Sequence, residues 1–312
     1  MIPAWTVVLW LCMIPAWTLS LQHRLPASAD RNVAWNIGGS DEVKFWEQHL
    51  RAQGASWYRF NASREIALGL RPYLGLPATI PTQVKHAAKR AVRLLEVGSG
   101  PASTIGYRAW ADTHLTLVLT DPLALRYEDI FERIGVRPPV PILPVAGEAL
   151  AQWFADGIFD LVYSVNALDH ALDPVDTLRG MLRTARPCGW AVCELFQAEA
   201  VTQRGGGMHR WNFLASEAAD GRLSTTLSYF GHASTKVTNV TAEMLRAGAA
   251  RVVTQRWRGP DLSGDIQAND CLYLNRRRGG GLRLRLSMRR AAVSDGEDGC
   301  PETEAPPTPV HC

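Results

Sequence analysis

The feature that most constrains the fold is an alternation, beginning near residue 92, of β-rich apolar runs with segments of helical length. Each of the first two runs ends in a glycine or an acid. Such alternation is typical of a parallel sheet that carries helices on both faces. We therefore predict an α/β, doubly wound sheet. The apolar runs are VRLLEVG at 92–98, LTLVLTD at 115–121, FDLVYSV at 159–165 and WAVCELF at 190–196, with helices expected near 102–111, 122–135 and 173–186.

Two later apolar runs predict the edge of the sheet. They are ARVVTQRW at 250–257 and DCLYLNR at 270–276, and no long helical segment separates them. Strands so connected pair antiparallel, as in a hairpin. Sheets of this kind bind ligands at the carboxyl ends of their strands, where the glycines and acids of this chain lie.

The first 30 residues differ from the rest, because nothing before His23 is charged and MIPAWT occurs twice. The run has about the 20 residues that a membrane-spanning helix needs. It also resembles a secretory signal with a cleavage site at 27–29, although no basic residue precedes it. A buried segment is the third alternative. Membrane contact through residues 1–22, secretion and a cytoplasmic location therefore all stay open.

The remaining chain divides into three parts. Residues 31–90 predict a helical N-terminal extension, in which 41–70 has the pattern of short amphipathic helices. Residues 91–278 contain the alternating pattern. Residues 279–312 are basic, then acidic and rich in proline, so we expect a disordered tail. The arginines at 275–290 are able to contact phosphates or anionic lipid, and the alternative is the solvated exit of a last strand followed by a linker. A net charge of +3 gives no specific evidence for a nucleic-acid partner.

Cysteine content predicts no disulfide framework. Six cysteines in 312 residues are few for a stapled scaffold. Cys193 lies in an apolar run, where a thiol serves as a small buried hydrophobe, and Cys300 lies in the tail. No cysteine and histidine spacing is typical of zinc, so no metal site is expected from the sequence.

The stretch LLEVGSGPAS at 94–103 suggests a ligand-binding turn. Gly98 and Gly100 permit a tight turn and let a ligand approach the backbone closely. A dinucleotide-binding turn would have a third glycine where Ser103 stands. Glu96 would repel a pyrophosphate but suits a cationic ligand. An ordinary turn is the alternative.

Two further acids follow predicted elements of the sheet. Asp121 ends the second strand, where a carboxylate accepts hydrogen bonds from both ribose hydroxyls of a nucleoside. The alternative is an Asp-Pro turn or helix cap. Glu148 precedes the third long strand and is placed to receive the exocyclic amine of an adenine. A surface glutamate is the simpler interpretation.

Together these stretches resemble the class I S-adenosylmethionine-dependent methyltransferases. LLEVGSGPAS resembles their first motif, LTLVLTDPLA the second, GEALAQWFADGIFDLV the third, and the segment from NALDH to the turn at Cys188 the fourth. Cys188 stands where a glycine is usual in that family. The resemblance covers about 90–275 and implies a seven-stranded, mostly parallel Rossmann-like sheet with an antiparallel edge strand, and S-adenosyl-L-methionine as cofactor. It implies cofactor contacts at Glu96, Gly98, Gly100, Asp121, Pro122, Leu123, Glu148, Ala149 and Asn166.

A narrower group, uncharacterised and mostly bacterial, shares the elements GSGP, DPLA, NALDH and H-x-W-N with this chain. A base that removes an acceptor proton is expected among His170, Asp169 and His209. Alternatively, His170 caps a helix or holds the methionine end of the cofactor. Trp211 and Asn212 follow a glycine-rich stretch and are predicted to contact the substrate at the end of a mobile lid, with a core role for Trp211 as the alternative.

The sequence thus predicts a methyltransferase that acts on an unidentified acceptor, expected to be a small molecule with an oxygen, carbon or small amine nucleophile. One alternative is a catalytically degenerate, membrane-tethered binding module of the same fold. Another is a nicotinamide-dependent oxidoreductase, which would need the third glycine and gives Glu96 no role. The oligomeric state stays open.

Overall fold

The structure is a computed structural model that describes residues 29–53, 68–77, 90–106, 110, 112–230, 237–258, 282–292 and 300. The helices are α1 (Ala29–Gln53), α2 (Ala124–Ile134), α3 (Leu150–Trp153), α4 (Pro174–Thr184), α5 (Glu199–Thr202) and α6 (Val240–Arg246). The strands are β1 (Arg90–Val97), β2 (Thr113–Thr120), β3 (Ile142–Leu143), β4 (Phe159–Val165), β5 (Ala185–Phe196), β6 (Trp211–Glu217), β7 (Leu223–Tyr229), β8 (Thr238–Asn239), β9 (Ala249–Arg258) and β10 (Leu282–Arg290). Short 3-10 turns span Arg71–Leu74, Gly147–Ala149 and Leu168–His170.

The main sheet has seven strands in the order β3-β2-β1-β4-β5-β10-β9. The strands from β3 to β5 are parallel, and β10 runs antiparallel to both β5 and β9. The predicted mostly parallel, seven-stranded sheet is confirmed. Its antiparallel strand lies one place in from the edge, which β9 occupies.

Apolar residues explain why the central strands lie deep in the molecule. In β1 the adjacent residues Leu94 and Leu95 are both fully buried, and so are Leu161 and Val162 in β4. Neighbouring residues of a strand point to opposite faces, so both faces of the sheet are covered. Leu94 and Leu161 belong to one hydrophobic cluster and Leu95 and Val162 to another, as a doubly wound sheet requires.

A second, three-stranded antiparallel sheet, β6-β7-β8, is a feature that the sequence did not predict. Its apolar side chains Phe213 and Leu227 are buried against the core on one side of the main sheet. Most other residues of β6 and β7 are polar, so neither strand forms an apolar run that would indicate it in the sequence.

The predicted disordered tail is wrong for residues 282–290, which form β10 between two other strands. Leu284, Leu286 and Met288 are fully buried, and Arg283, Arg285 and Arg289 are also largely buried. Arg285 Nη2 lies 2.5 Å from Glu194 Oε1 of β5, so its charge is neutralised inside the protein. The hairpin partner expected at 270–276 lies outside the described residues; β9 pairs with β10 instead.

The expectation that the fold contains no disulfide is also wrong. Cys188 of β5 is bonded to Cys300, 112 residues further along the chain. Cys188 has a φ of 59°, the left-handed conformation for which the related family uses glycine. Counting cysteines could not reveal this bond, because the sequence does not show which residues of a tail return to the sheet.

The helix predicted at 102–111 is absent from the described part of that range, since 101–106 form turns. The carboxylate of Glu96 accepts hydrogen bonds from Ser103 Oγ at 2.6 Å and from Thr104 N at 2.9 Å. These bonds draw the chain back onto β1 where a helix would lead it away.

The N-terminal extension begins with one continuous helix, α1, where the sequence predicted short helices from residue 41. None of the helices that the structure describes is both long enough and apolar enough to cross a bilayer. The apolar segment at residues 1–28, with its proposed membrane contact, lies outside the described residues.

Candidate active site

A cavity of about 650 Å³ opens at the carboxyl ends of β1, β2 and β4. The turn after β1 forms its floor, α1 covers it, and the segment 203–209 closes the far end. The sequence-predicted residues that line it are Gly98, Gly100, Asp121, Pro122, Leu123, Glu148, Asn166, His170 and His209.

The two glycines of the turn are required by their surroundings. Gly98 and Gly100 have φ values of 68° and 61°, a conformation that other residues rarely adopt. A Cβ atom on Gly98 would lie 2.4 Å from the Cβ of Ala167, and one on Gly100 would lie 3.1 Å from Cζ2 of Trp46. The turn therefore presents bare backbone to the cavity.

Glu96 does not line the cavity, so the structure does not support its predicted direct contact with the cofactor. The side chain is fully buried behind the turn and bonded to Ser103 and Thr104. Burial raises the pKa of Glu96, and the hydrogen bonds from Ser103 and Thr104 partly offset that rise. Glu96 acts on the cavity only by fixing the loop at its floor.

Asp121 lies beside the turn and is almost fully buried. Its Oδ2 accepts from Gly100 N at 2.9 Å, and its Oδ1 accepts from Leu123 N at 2.8 Å. Burial and, to a smaller extent, the charge of Glu42 raise the pKa of Asp121 to about 7, against the lowering effect of the two backbone N–H groups. Each carboxylate oxygen keeps a second lone pair that is able to accept a ligand hydroxyl.

Glu148 lines the opposite wall of the cavity. Its Oε1 accepts from Asp173 N at 2.9 Å, and burial raises its pKa against this and other backbone hydrogen bonds. Glu148 is thus held by the start of α4. Ala149, which was also predicted to contact the cofactor, does not line the cavity and packs against the core instead.

Two polar side chains at the end of β4 face the cavity with unused hydrogen-bonding capacity. Asn166 Oδ1 and Ser164 Oγ are buried and have no hydrogen-bond partner among the residues that the structure describes. Asn166 also has a φ of 47°, which is uncommon for a residue other than glycine. A buried polar group of this kind is normally satisfied by a ligand or by water.

Asp169, His170 and His209 form a cluster at the far end of the cavity, which is called the histidine cluster below. His209 Nδ1 lies 2.5 Å from Asp169 Oδ2 and 3.0 Å from His170 Nε2. Glu199 Oε1 lies 3.8 Å from the same nitrogen. Both imidazoles line the cavity, whereas Asp169 is buried behind them.

The electrostatics of the histidine cluster favour a charged pair. Burial opposes ionisation of Asp169, but the charge of His170 and the hydrogen bond from His209 outweigh it, so the pKa of Asp169 is lowered. Burial also opposes protonation of His209, but the hydrogen bond and charge of Asp169 outweigh it, so the pKa of His209 is raised.

Trp211 and Asn212 do not line the cavity, and their predicted contact with the substrate stays a prediction. Asn212 is buried, and its Oδ1 accepts from Val201 N at 2.9 Å. Trp211 donates from Nε1 to Ala171 O at 2.7 Å and packs its ring on Tyr229. Both residues open β6 and fix the segment that carries His209.

Helix α1 supplies cavity residues that the sequence did not indicate. Trp35, Glu42, Phe45 and Trp46 line the cavity, and Trp35 Nε1 donates to His170 O at 3.1 Å. A glutamate among aromatic residues of a helix was the available signal. It is not specific, because the buried face of any amphipathic helix carries similar residues.

The seven-stranded sheet, with a cavity at its carboxyl edge and a carboxylate at the end of β2, defines a class I methyltransferase fold. Residues 95–193 also match a family model described as a methyltransferase domain. Residues 95–193 are thus a methyltransferase domain, and a domain of this kind uses S-adenosylmethionine as its cofactor.

Solved structures with similarity to this chain were found at low sequence identity. One is a methyltransferase of Thermotoga maritima described as a possible histamine N-methyltransferase (14% identity, 82% of this chain and 99% of that chain, TM-score 0.41). Another is the 1,6-didemethyltoxoflavin-N1-methyltransferase of Burkholderia thailandensis (14%, 86% and 93%, TM-score 0.43). A third is an S-adenosylmethionine-dependent methyltransferase of Mesorhizobium loti (17%, 71% and 98%, TM-score 0.38).

Proposed function

We propose that this enzyme methylates a small acceptor whose reacting atom is bound beside the histidine cluster. The observation that carries the proposal is the shared cavity: the bare turn with Asp121 and the histidine cluster open into the same space. Helix α1 covers that space, which favours a small molecule over a macromolecule. The reacting atom is an oxygen, a carbon or a small amine.

The acids of the floor and of the opposite wall suit the cofactor. Asp121 would accept from two ribose hydroxyls, and Glu148 would accept from the adenine amine. Asn166 Oδ1 and Ser164 Oγ, which lack partners in the described structure, are suited to the polar methionine end. When bound, S-adenosylmethionine supplies a methyl group on a sulfonium sulfur, which is already a good leaving group.

The chain's own contribution is then alignment, exclusion of water and removal of a proton. Enclosure by α1 holds an acceptor in a fixed orientation, which is worth several kcal/mol in well-aligned reactions. A hydroxyl or amine acceptor must also lose a proton, and the histidine cluster is the group of basic side chains at that end of the cavity. Asp169 acts through His209, since it does not line the cavity itself.

No described residue favours the nicotinamide alternative. Ser103, which replaces the third glycine of a dinucleotide turn, is engaged by Glu96.

Calorimetric titration of the full-length protein tests the proposal. We expect S-adenosylhomocysteine to bind with micromolar affinity and NADH not to bind. We then expect radiolabelled methyl transfer from S-adenosylmethionine to appear in a screen of small hydroxyl and amine compounds, and to fall at least about 100-fold in His209→Ala, as expected for loss of acid–base help. A folded protein that binds NADH, or neither compound, would contradict the proposal.

Cofactor affinity is expected to depend on pH through Asp121, whose pKa lies at about 7. Only the ionised carboxylate accepts two hydroxyls, so the Kd for S-adenosylhomocysteine should rise about tenfold for each pH unit below 6 and level off above 8. Titrations at pH 5, 6, 7 and 8 measure this. In Asp121→Asn the affinity should be weak and nearly independent of pH. An equally steep profile in that variant would assign the titration to another group, such as Glu148.

A further inference from the structure

We propose that the histidine cluster is a binding site for a divalent transition-metal ion, with Asp169, His170 and His209 as ligands. The inference rests on the proposed function for its place beside the acceptor, and it adds a cofactor of a second kind. The spacing of these residues did not indicate the site, because His209 lies 39 residues after His170.

The geometry of the three donor atoms carries the inference. Asp169 Oδ2, His170 Nε2 and His209 Nδ1 form a triangle with sides of 2.5, 3.0 and 3.7 Å. A circle through these points has a radius of about 1.9 Å, so all three atoms come within reach of one ion at about 2.1 Å once the closest pair separates to about 3 Å. All three residues are the kinds that bind such metals, and their donor atoms lie close enough together to hold one ion.

Without an ion, the contacts in the histidine cluster are overcrowded. A ring nitrogen has one hydrogen or one lone pair, yet His209 Nδ1 has both Asp169 Oδ2 and His170 Nε2 within hydrogen-bonding distance. The second oxygen of Asp169, Oδ1, is buried and has no hydrogen-bond partner among the described residues. A cation bound to all three donors would satisfy the nitrogens and Oδ2 together.

Charge and access also suit a cation. The side chains of Asp169 and Glu199 are 2% and 3% exposed, so two buried carboxylates adjoin the site and match a charge of +2. The side chains of His170 and His209 are 15% and 18% exposed, toward the cavity they line. Two imidazoles and one carboxylate leave coordination positions open, as in catalytic sites for zinc or iron(II).

A metal at this place would explain how the acceptor loses its proton while both imidazoles serve as ligands. A hydroxyl that coordinates a divalent ion has a lowered pKa. Such a hydroxyl would lose its proton to water in the cavity and would keep the electron pair on oxygen as the nucleophile. The site therefore favours a hydroxyl acceptor.

Cobalt(II) is the probe, because its visible d–d absorption reports the ligands directly and needs no acceptor. Untagged full-length protein, first treated with chelator and dialysed, should bind one Co²⁺ per chain and develop visible bands. Asp169→Asn and His209→Ala should each weaken that binding at least about tenfold. His114→Ala, at an exposed histidine far along β2 from the cavity, is the matched control and should bind as the wild type does.

Binding of S-adenosylhomocysteine by each variant shows that it is folded. Wild-type protein that binds S-adenosylhomocysteine but gives no Co²⁺ bands would overturn the metal site alone. Unchanged bands in both Asp169→Asn and His209→Ala would overturn it as well. Co²⁺ binding without S-adenosylhomocysteine binding would support the metal site and contradict the proposed function.

Discussion

Replacing Asp121 by alanine is expected to weaken S-adenosylhomocysteine binding by at least about 100-fold, because each hydrogen bond to a charged group contributes about 1.5–3 kcal/mol and two ribose hydroxyls lose their acceptor. The substitution also leaves Gly100 N and Leu123 N without the carboxylate that they share. The cofactor turn loses its support along with the ligand contact. Calorimetry at pH 8, where Asp121 is mostly ionised, measures the full effect.

Asp129→Ala is the matched control for Asp121→Ala. Asp129 lies on the exposed side of α2, and its loss should change the affinity less than twofold. A circular dichroism spectrum and a cooperative thermal transition establish that each variant is folded. Affinity within threefold of the wild type in folded Asp121→Ala would show that the cofactor's ribose binds elsewhere.

Replacing Arg285 by methionine is expected to lower the free energy of unfolding by about 3–5 kcal/mol, because Glu194 is left as an unpaired charge inside the protein. The side chains of Arg285 and Glu194 are only 4% and 6% exposed, and they join two neighbouring strands of the main sheet. Urea unfolding followed by circular dichroism measures the loss.

The double variant Glu194→Leu/Arg285→Met removes both charges and should recover most of the stability, since a buried pair replaced by apolar residues is often close to neutral. Arg222→Met is the control at a surface ion pair, where the arginine side chain is 88% exposed. Its effect should stay below about 1 kcal/mol. An Arg285→Met variant as stable as Arg222→Met would mean that β10 is not held in the sheet by this pair.

Much of the sheet could be predicted because the apolar sequences of its central strands indicate that these strands are buried. The runs around Leu94, Leu117, Leu161 and Val192 each have apolar residues at adjacent positions, hence on both faces of a strand, and each forms a strand of the parallel part of the sheet. The cofactor turn could be predicted for a similarly local reason, since Gly98, Gly100 and Asp121 are needed where one strand ends and the next begins. In these cases the residues that determine the local structure lie close together in the sequence.

The remaining features depend on contacts between residues far apart in the chain. The arginines of β10 led to the prediction of a disordered tail. Arg285 is buried beside Glu194, and the sequence does not reveal that partner because it lies 91 residues earlier. In the sequence, Cys188 only replaced the glycine that is usual in a turn of the family. Its disulfide with Cys300 becomes visible only in the folded chain. Trp211 and Asn212 were predicted to contact the substrate. In the structure they form hydrogen bonds with Ala171 and Val201, and these bonds position β6.

The placement of α1 has a consequence for the kinetics of turnover. Through Trp46 the helix rests on the cofactor turn, and through Trp35 it is bonded to the backbone of His170, so a single element contacts both ends of the cavity. A shift of α1 would therefore change both binding regions at once. We expect such a shift to accompany each turnover and to contribute to the turnover number. Turnover that slows in proportion to solvent viscosity would report that motion.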